Sequence, residues 1–244
     1  MECDKNNFSG PTPMPAPVKR KRLTPEERRT QIIEAARALF GEGGLSAISM
    51  RSIAARVGIT QAAIYQHFED KDAIVFAVAE HFFGKLIESA EASSAVDLGP
   101  VEALRASMRG YIETGLAHPE EYRLVFMTDA PGLRRHGPAN LQARNGHETG
   151  PDIQPTKGQI AYGHLQEKVR VLVKSGDIRK GDPELIAEAM WAAGHGVVAL
   201  LITHVEFVWD AKKLIDMHID ILLKGLLPDG HAGRATKKSR SRKA

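Results

Sequence analysis

Residues 60–67, TQAAIYQH, combine amide, hydroxyl, phenol and imidazole groups with small side chains, at a spacing that puts most of them on one side of a short helix. A Gln amide can pair with adenine, hydroxyl and imidazole groups can bind phosphate oxygens, and alanine permits close approach to a thymine methyl. This chemistry favours contact with double-stranded DNA. Alanine and glutamine are also good helix formers, so a plain solvated helix face is the alternative interpretation.

Two short helices joined by a tight turn are predicted to position this face. Ser49 can cap the first helix, Gly58 ends it, and Thr60 can cap the second helix directly afterwards. Helices so closely connected must cross at a steep angle, which describes a helix-turn-helix. On the second helix Ile64 and Phe68 lie four residues apart and can pack on the first, which leaves the polar side open.

The remaining sequence predicts helices only. The first helix begins at Thr24-Pro25, with Thr24 as its N-cap, and its apolar stripe ends at the glycines of 41–44. Later apolar stripes predict helices at about 72–92, 101–118, 120–128, 157–175, 183–205 and 211–227. Residues 129–156 are rich in Gly and Pro, and we expect a mobile lid or disorder there. The predicted fold class is all-α, with an N-terminal three-helix helix-turn-helix domain and a C-terminal helical bundle.

Charge is distributed unevenly along the chain. Residues 19–71 hold ten Lys and Arg against six Asp and Glu, residues 231–244 hold six basic and no acidic residues, and residues 72–230 hold 16 against 22. A basic module on an acidic remainder is expected of a protein that contacts a polyanion, although a basic tail alone is equally explained by solubility. We predict a disordered basic leader in 1–22, a DNA-binding domain in 23–70, an effector-binding and dimerisation domain in 71–228, and a disordered basic tail in 229–244.

The run SMRSIAARVGITQAAIYQHFEDKDAI, residues 49–74, resembles the DNA-binding signature of the TetR family of bacterial transcriptional regulators. The resemblance covers Ile53-Ala54, Gly58, Thr60, the triplet Tyr65-x-His67-Phe68, and Lys71. The resemblance implies that the DNA backbone is contacted by Ser49, Thr60, Tyr65, His67 and Lys71, and that the residues nearest the base edges are Gln61, Ala62 and Gln66. The family often has Ser, Gly and Thr where this chain has Thr60, Ala62 and Ala63, and these differences bear on the choice of operator.

A basic arm precedes the first helix and can follow the minor groove or the phosphate backbone. With this arm, the predicted DNA-binding residues are Lys19, Arg20, Lys21, Arg22, Ser49, Arg51, Thr60, Gln61, Ala62, Ala63, Tyr65, Gln66, His67 and Lys71.

The last two helices carry the predicted dimer interface. Helix 183–205 is apolar on more than one face and contains small residues, and helix 211–227 has a cleaner apolar stripe. Together they suit a four-helix contact between two copies, and the family resemblance implies the same homodimer. The predicted interface residues are Ala189, Ala193, Val197, Leu201, Leu214, His218, Ile221 and Leu222.

Aromatic and thioether side chains of the C-terminal bundle are predicted to line a largely apolar effector pocket. The predicted pocket residues are Tyr111, Phe126, Met127, Tyr162, Met190, Trp191 and His195, with ordinary core packing as the alternative for each. The order Trp191-x-x-x-His195-Gly196 also resembles the Trp-His-Gly type of TetR-family C-terminal domain. A ligand that prefers one arrangement of this domain would tilt helix 72–92 and change the spacing of the two reading helices.

Several other functions are disfavoured. Cys3 is the single cysteine, so neither an internal disulfide nor a cysteine metal site can form. Four late histidines lack the spacing of metal ligands, namely His164, His195, His204 and His218. No catalytic constellation is present either, so we expect no metal, no cofactor and no enzyme activity. The longest apolar run, 197–202, is too short to cross a bilayer and the first residues lack a signal-peptide pattern, so we predict a cytoplasmic protein without a membrane partner.

These observations predict a sequence-specific DNA-binding transcriptional regulator. We expect a ligand-released repressor that acts as a homodimer on a palindromic operator and responds to a small, largely apolar effector. Two alternatives stay open: an architectural or enzyme-recruiting DNA-binding protein without a ligand response, and a helical-bundle enzyme or metal sensor that uses the late histidines.

Overall fold

The computed structural model describes residues 23–94, 97–136 and 155–228. These residues form ten helices and no strand, which confirms the predicted all-α fold class. The helices are α1 Pro25–Ala47, α2 Met50–Val57, α3 Gln61–Tyr65, α4 Lys71–Ser94, α5 Pro100–Ala117, α6 Pro119–Phe126, α7 Pro131–His136, α8 Lys157–Ser175, α9 Pro183–Thr203 and α10 Ala211–Leu226. We call α1–α3 the reading domain and α4–α10 the body.

Side-chain caps set the first residues of several helices. The Thr24 hydroxyl accepts the Glu27 N–H at 3.1 Å while the Glu27 carboxylate accepts the Thr24 N–H at 2.7 Å, which completes a capping box at α1. At α9, Asp182 accepts the Glu184 N–H at 2.9 Å, and Pro183 occupies the first turn. Both helix starts were predicted, because a cap involves only residues within one turn of each other.

Two apolar cores hold the helices together. The reading-domain core includes Ile32, Phe40, Ile53, Ile64 and Phe68, and the body core includes Phe82, Leu104, Ile112, Tyr122, Leu172 and Val198. Helix α4 contributes to both, because Ile74 and Val78 lie in the first core whereas Phe82 and Leu86 lie in the second. A tilt of α4 therefore has to carry the reading domain with it.

Two ion pairs fasten α10 to α5. Arg105 and Arg109, one turn apart on α5, pair with Asp220 and Asp216, one turn apart on α10. The hydrogen bond from Arg105 lowers the pKa of the Asp220 carboxyl. This ladder fixes the rotation of α10 about its axis and leaves Ile221 exposed.

Helix α9 is the one helix among the described residues that is long and apolar enough to cross a membrane. It contains and extends the apolar run 197–202. In this structure α9 packs against α5 and α8 and buries one side of itself in the body core. A helix that is apolar on several faces is also what the centre of a helical bundle requires, so we interpret α9 as a core helix.

Three local predictions differ from the structure. Helix α1, predicted to end at the glycines of 41–44, continues to Ala47 across non-helical backbone at Gly43 and Gly44. Helix α3 ends at Tyr65, so Phe68 lies beyond it, although Phe68 is still buried in the same core as Ile64. Part of segment 129–156, predicted to lack structure, forms α7 against α4. The contact is so close that a Cβ on Gly132 would lie 2.7 Å from the Asp72 carbonyl oxygen. The leader 1–22, residues 137–154 and the tail 229–244 lie outside the described residues.

Candidate nucleic-acid interface

The turn between α2 and α3 is closed by backbone hydrogen bonds. Gly58 adopts a left-handed conformation with φ 73°, which favours glycine. The N–H groups of Gly58 and Ile59 both donate to the Ala54 carbonyl, at 2.9 and 3.1 Å. The Thr60 hydroxyl then accepts the Ala63 N–H at 3.2 Å and starts α3. The predicted helix-turn-helix is present with its predicted caps.

Helix α3 is held from one side only. Ile64 is fully buried and Phe68 almost so. Arg29 of α1 lies 4.0 Å from the centre of the Phe68 ring, and its Nη1 donates to the His67 carbonyl at 2.8 Å. Sequence reasoning missed Arg29, because its partners lie 38 and 39 residues away and no local pattern marks it.

The other side of α3 faces solvent. The predicted DNA-binding residues that are exposed are Arg51, Thr60, Gln61, Ala62, Tyr65 and Gln66, and those that are half-buried are Ser49, Ala63, His67 and Lys71. Tyr65 is 55% exposed although it is a large aromatic residue. Lys19, Arg20, Lys21 and Arg22 lie outside the described residues. Every described member of the predicted set is therefore at least partly open to solvent.

Charges near this face are partly paired. Arg56 of α2 forms an ion pair with Glu42 of α1, and its hydrogen bond lowers the pKa of the Glu42 carboxyl. The Asp70 carboxylate accepts the Ala73 N–H at 2.7 Å at the start of α4. Ser49 uses its hydroxyl as a cap, accepting the Ser52 N–H at 3.0 Å.

Most of the predicted pocket residues meet in one aromatic cluster in the body. We define this cluster as Phe82, Phe83, Tyr111, Tyr122, Phe126, Tyr162, Trp191 and His195, whose contacting rings have centroids 4.9 to 6.4 Å apart. Met190 is buried in the body core, whereas Met127 is 41% exposed. Two surface grooves of 560 and 480 Å³ lie elsewhere, beside Lys85 and beside His164. The rings of the cluster pack against one another.

A chain of hydrogen bonds runs through this cluster. Trp191 Nε1 donates to the Tyr111 hydroxyl at 3.2 Å, the Tyr111 and Tyr122 hydroxyls are 2.9 Å apart, and Tyr122 lies 2.7 Å from His195 Nδ1. Each hydroxyl donates once and accepts once if Tyr111 donates to Tyr122 and Tyr122 to His195. Burial lowers the pKa of His195 and raises that of Tyr122, so both are neutral near pH 7. The sequence analysis did not identify Tyr122, although its hydroxyl joins Tyr111 to His195 in these hydrogen bonds.

The predicted dimer residues divide between surface and core. Ala189 and Ile221 are exposed, Val197 is buried in the body core, and the remainder are half-buried: Ala193, Leu201, Leu214, His218 and Leu222. Exposed residues that the prediction omitted extend the apolar surface, namely Leu185, Ala192, Leu200 and Met217. On α9 the positions 185, 189, 192, 196 and 200 follow one face of a helix, and this spacing is the signal that finds them.

A metal centre has no support in the described part of the chain, where no three His, Cys, Asp or Glu side chains are grouped to hold an ion.

Two family profiles match the chain. Residues 32–78 match the family described as bacterial regulatory proteins, tetR family, and residues 104–222 match a tetracyclin repressor-like C-terminal domain. The narrower resemblance to the Trp-His-Gly type stays a prediction.

Individual relatives are also transcriptional regulators. The probable HTH-type transcriptional regulator ArpR of Pseudomonas putida is 35% identical over 216 residues, 84% of this chain and 96% of that protein. The HTH-type transcriptional activator FasR of Mycolicibacterium smegmatis is 30% identical over 108 residues, 44% of this chain; the match spans 49% of FasR, about half its length. The solved structure of the ketosteroid transcriptional regulator KstR2 of Mycobacterium tuberculosis shares the fold, with a TM-score of 0.59, 19% identity, and coverage of 83% of this chain and 96% of that chain.

Proposed function

This chain belongs to the TetR family of bacterial regulatory proteins, and we propose that it is a ligand-released repressor that binds a palindromic operator as a homodimer. The observation that carries this proposal is the two-sided character of α3. Its apolar side is buried against α1 and α2, while its polar side, with Gln61, Tyr65 and Gln66, is open to solvent. An open helix face with this chemistry can enter the major groove.

The proposed contacts divide into two groups. Gln61, Ala62 and Gln66 lie towards the base edges and set the sequence preference. Phosphate contacts come from residues flanking them, namely Ser49, Arg51, Thr60, Tyr65, His67 and Lys71, whereas Ala63, whose N–H already donates to Thr60, lets the backbone come close to the DNA. The basic arm, Lys19 to Arg22, adds contacts that depend on salt but carry little sequence information.

The proposed dimer uses the exposed apolar surface of α9 and α10. Leu185, Ala189, Leu200, Met217 and Ile221 are exposed apolar side chains on these two helices, and apolar side chains grouped on a surface are costly to leave in water. A twofold contact through this surface buries both copies of it. The half-buried interface residues complete the contact at its edges.

The proposed effector is small and largely apolar, and it binds at the aromatic cluster beside Met127 and Met190. Because α4 contributes to both cores, a ligand that separates the rings shifts α4 and with it the reading domain. Operator half-sites recur about 34–36 Å apart, so a change in the separation of the two α3 helices weakens binding. We place this regulator in the cytoplasm with its DNA, and propose no membrane partner.

Selection of duplexes from a random-sequence pool with the full chain tests the proposal. We expect enrichment of a palindrome whose two half-sites are protected about one helical turn apart, with affinity that falls as salt rises. Placing the selected duplex over a promoter then gives the sign of regulation, because a repressor lowers transcription and an activator raises it. Failure to enrich any duplex contradicts DNA binding, and a single unpaired half-site contradicts the dimer.

The dimer surface has its own test. Ile221→Arg puts a charge into the proposed interface, so we expect a monomer by light scattering and loss of palindromic binding. Val171→Arg is the matched control, because Val171 is also exposed, on α8, outside the proposed interface. A dimer that persists in Ile221→Arg, or dissociates equally in Val171→Arg, contradicts the assignment.

A further inference from the structure

Three consecutive residues of α6 contact three different parts of the molecule. Glu121 pairs with Lys85 of α4 and lies 3.8 Å from Arg37 of the reading domain. Tyr122 belongs to the aromatic cluster, and Arg123 donates to the end of α9. We propose that this tripeptide couples the aromatic cluster to the reading domain, with Glu121 as the positioning residue. The inference rests on the proposed function, because it assigns the regulation of the proposed DNA-binding face.

Glu121 is the only charged side chain that is buried among the described residues, with 1% of its surface exposed. Its Oε1 lies 3.1 Å from Lys85 Nζ of α4, 3.8 Å from Arg37 Nε of α1, and 3.7 Å from His118 Nδ1. Its Oε2 is buried and has no hydrogen-bond partner in the described residues. A buried carboxylate is stable only while its cations stay in place. The free energy of this site therefore depends on how α1, α4 and α6 are arranged.

Close packing leaves α6 little freedom to move relative to α1. A Cβ on Gly41 of α1 would lie 3.3 Å from Glu120 Cγ, which is tighter than ordinary contact. At the other end of the body, Arg123 donates through Nη2 to the Ile202 carbonyl in the last turn of α9 and through Nη1 to Glu120 at 2.9 Å. Helix α6 thus joins the reading domain to α9 through contacts on adjacent residues.

Tyr122 connects α6 to the aromatic cluster. It is fully buried, its ring stacks on His195 with centroids 5.6 Å apart, and it lies 4.9 Å from the Phe126 ring. On its other side, a Cβ added to Gly115 of α5 would come within 2.9 Å of the Tyr122 ring. A ligand that displaces the ring cannot push it towards α5, and part of the displacement passes to α6, which carries Tyr122.

The two ends of this connection are only one residue apart. A helix rises about 1.5 Å per residue, so the backbone of Glu121 has to move with that of Tyr122. Movement of Glu121 away from Arg37 or Lys85 leaves its charge poorly compensated, and the reading domain has to shift to restore the contacts. Coupling between two binding sites is reciprocal, so DNA bound to α3 must also alter the surroundings of the cluster.

Trp191 reports on the cluster without any need for the effector. The chain has two tryptophans, so in a Trp209→Phe background Trp191 is the single one and its emission monitors the hydrogen bond to Tyr111. The probe is the duplex selected by the full-length protein. We expect saturating duplex to change the Trp191 emission in Trp209→Phe.

Three substitutions in this background locate the coupling. Glu121→Gln keeps the side-chain shape and removes the charge, and we expect it to abolish the DNA-induced change in emission. Arg37→Gln acts from the partly exposed α1 side of the same contact, so it serves as a second test if Glu121→Gln does not fold. Glu88→Gln, at an exposed position on α4, is the matched control and should keep the full change.

The outcomes separate the coupling from the proposed function. Bound duplex with no change in Trp191 emission in Trp209→Phe overturns the coupling and leaves DNA binding intact. A full change in folded Glu121→Gln or Arg37→Gln overturns the role of Glu121, because a purely structural residue would alter the melting temperature without uncoupling the sites. Absence of any bound duplex overturns the proposed function itself.

Discussion

The turn that presents α3 and the contacts around α6 are built over very different distances in the sequence. Ser49 caps with Ser52 and Thr60 with Ala63, each three residues apart. Around α6, Lys85 and Glu121 are 36 residues apart, Tyr122 and His195 are 73 apart, and Arg123 and Ile202 are 79 apart. The proposed DNA-binding face is thus presented by local structure, whereas the proposed coupling depends on the assembled body.

This difference separates binding from regulation. Substitutions of Gln61, Tyr65 or Gln66 on the open side of α3 should change DNA affinity and leave the fold unaltered, because these exposed side chains do not cap the helix or pack in the core. Substitutions around α6 should change stability or coupling and leave the DNA-contacting groups in place.

The largest effect is expected from the double substitution Tyr65→Ala with His67→Ala. Two hydrogen bonds to charged phosphates at roughly 1.5 kcal/mol each correspond to about a hundredfold loss of operator affinity. Fluorescence anisotropy with the selected duplex measures the loss. The His67 carbonyl still accepts from Arg29, so the fold and the dimer should persist. Val171→Ala is the exposed control, and a dimer lost together with DNA binding would refute the assigned roles.

A large effect on stability is expected from Gly115→Ala. The new methyl would meet Val198 Cγ1 at 2.8 Å and Tyr122 at 2.9 Å, so overpacking should lower the free energy of unfolding by about 1–3 kcal/mol. Urea denaturation measures the change. Gly163→Ala is the matched control, because nothing lies within 4 Å of its Cβ, and this helical position should gain up to about 1 kcal/mol. Equal effects of the two substitutions would contradict the close packing around Tyr122.

A smaller effect is expected from Thr60→Ala in the absence of DNA. Loss of the hydroxyl that caps α3 should destabilise the reading domain by about 1 kcal/mol. Urea denaturation again measures the change. Thr30→Ala on α1 is the control and should not lower the stability, because alanine is the better helix former at that interior position. If Thr60→Ala is as stable as the parent, the capping hydrogen bond does not support α3.

The smallest effect is expected from pH. Burial lowers the pKa of His195 in the folded state. Just below the unfolded-state pKa of about 6.5, the unfolded state therefore binds more protons than the folded state. The contribution of neutral His195 is complete above that pH and is lost as the pH falls through the folded-state pKa. His195→Asn keeps a partner for the Tyr122 hydroxyl and cannot titrate. Thermal melts between about pH 7.5 and 5.5 should therefore show a smaller loss of stability in the variant than in the parent. If the parent and the variant lose stability in parallel, His195 is not the group that makes stability depend on pH. Burial also lowers the pKa of His81, His118 and His218, so some loss of stability should persist in the variant.

The helix starts could be predicted because their signals are local. Thr24, Thr60 and Asp182 each act on an N–H two or three residues further on, and the bounds of α8 coincide with the predicted 157–175. Helix α7 was missed because six residues carry no full apolar period, and packing against α4 orders them. The early end of α3 was missed because Phe68 is buried beside Ile64 whether or not it is helical.

The candidate sites show the same limit. The open side of α3 follows from residue types within one turn of each other, so its members could be named from the sequence. Glu121, Tyr122 and Arg123 lie in the short segment PEEYRLVF, which has three charged residues among eight. This composition predicts a helix that is exposed to solvent. Their burial arises from α1, α4, α5 and α9 meeting around them, and no pattern within α6 signals that meeting.

DNA binding by this protein requires that the open side of α3 enters the groove of the duplex. A photo-cross-linking amino acid, benzoylphenylalanine, placed at Ala62 tests this directly, with the same amino acid at the exposed Val171 as control. On irradiation with the selected duplex, we predict a cross-link from position 62 to bases within each half-site and none from position 171. Absence of a cross-link from position 62 in a saturated complex, or equal cross-linking from both positions, would contradict the claim.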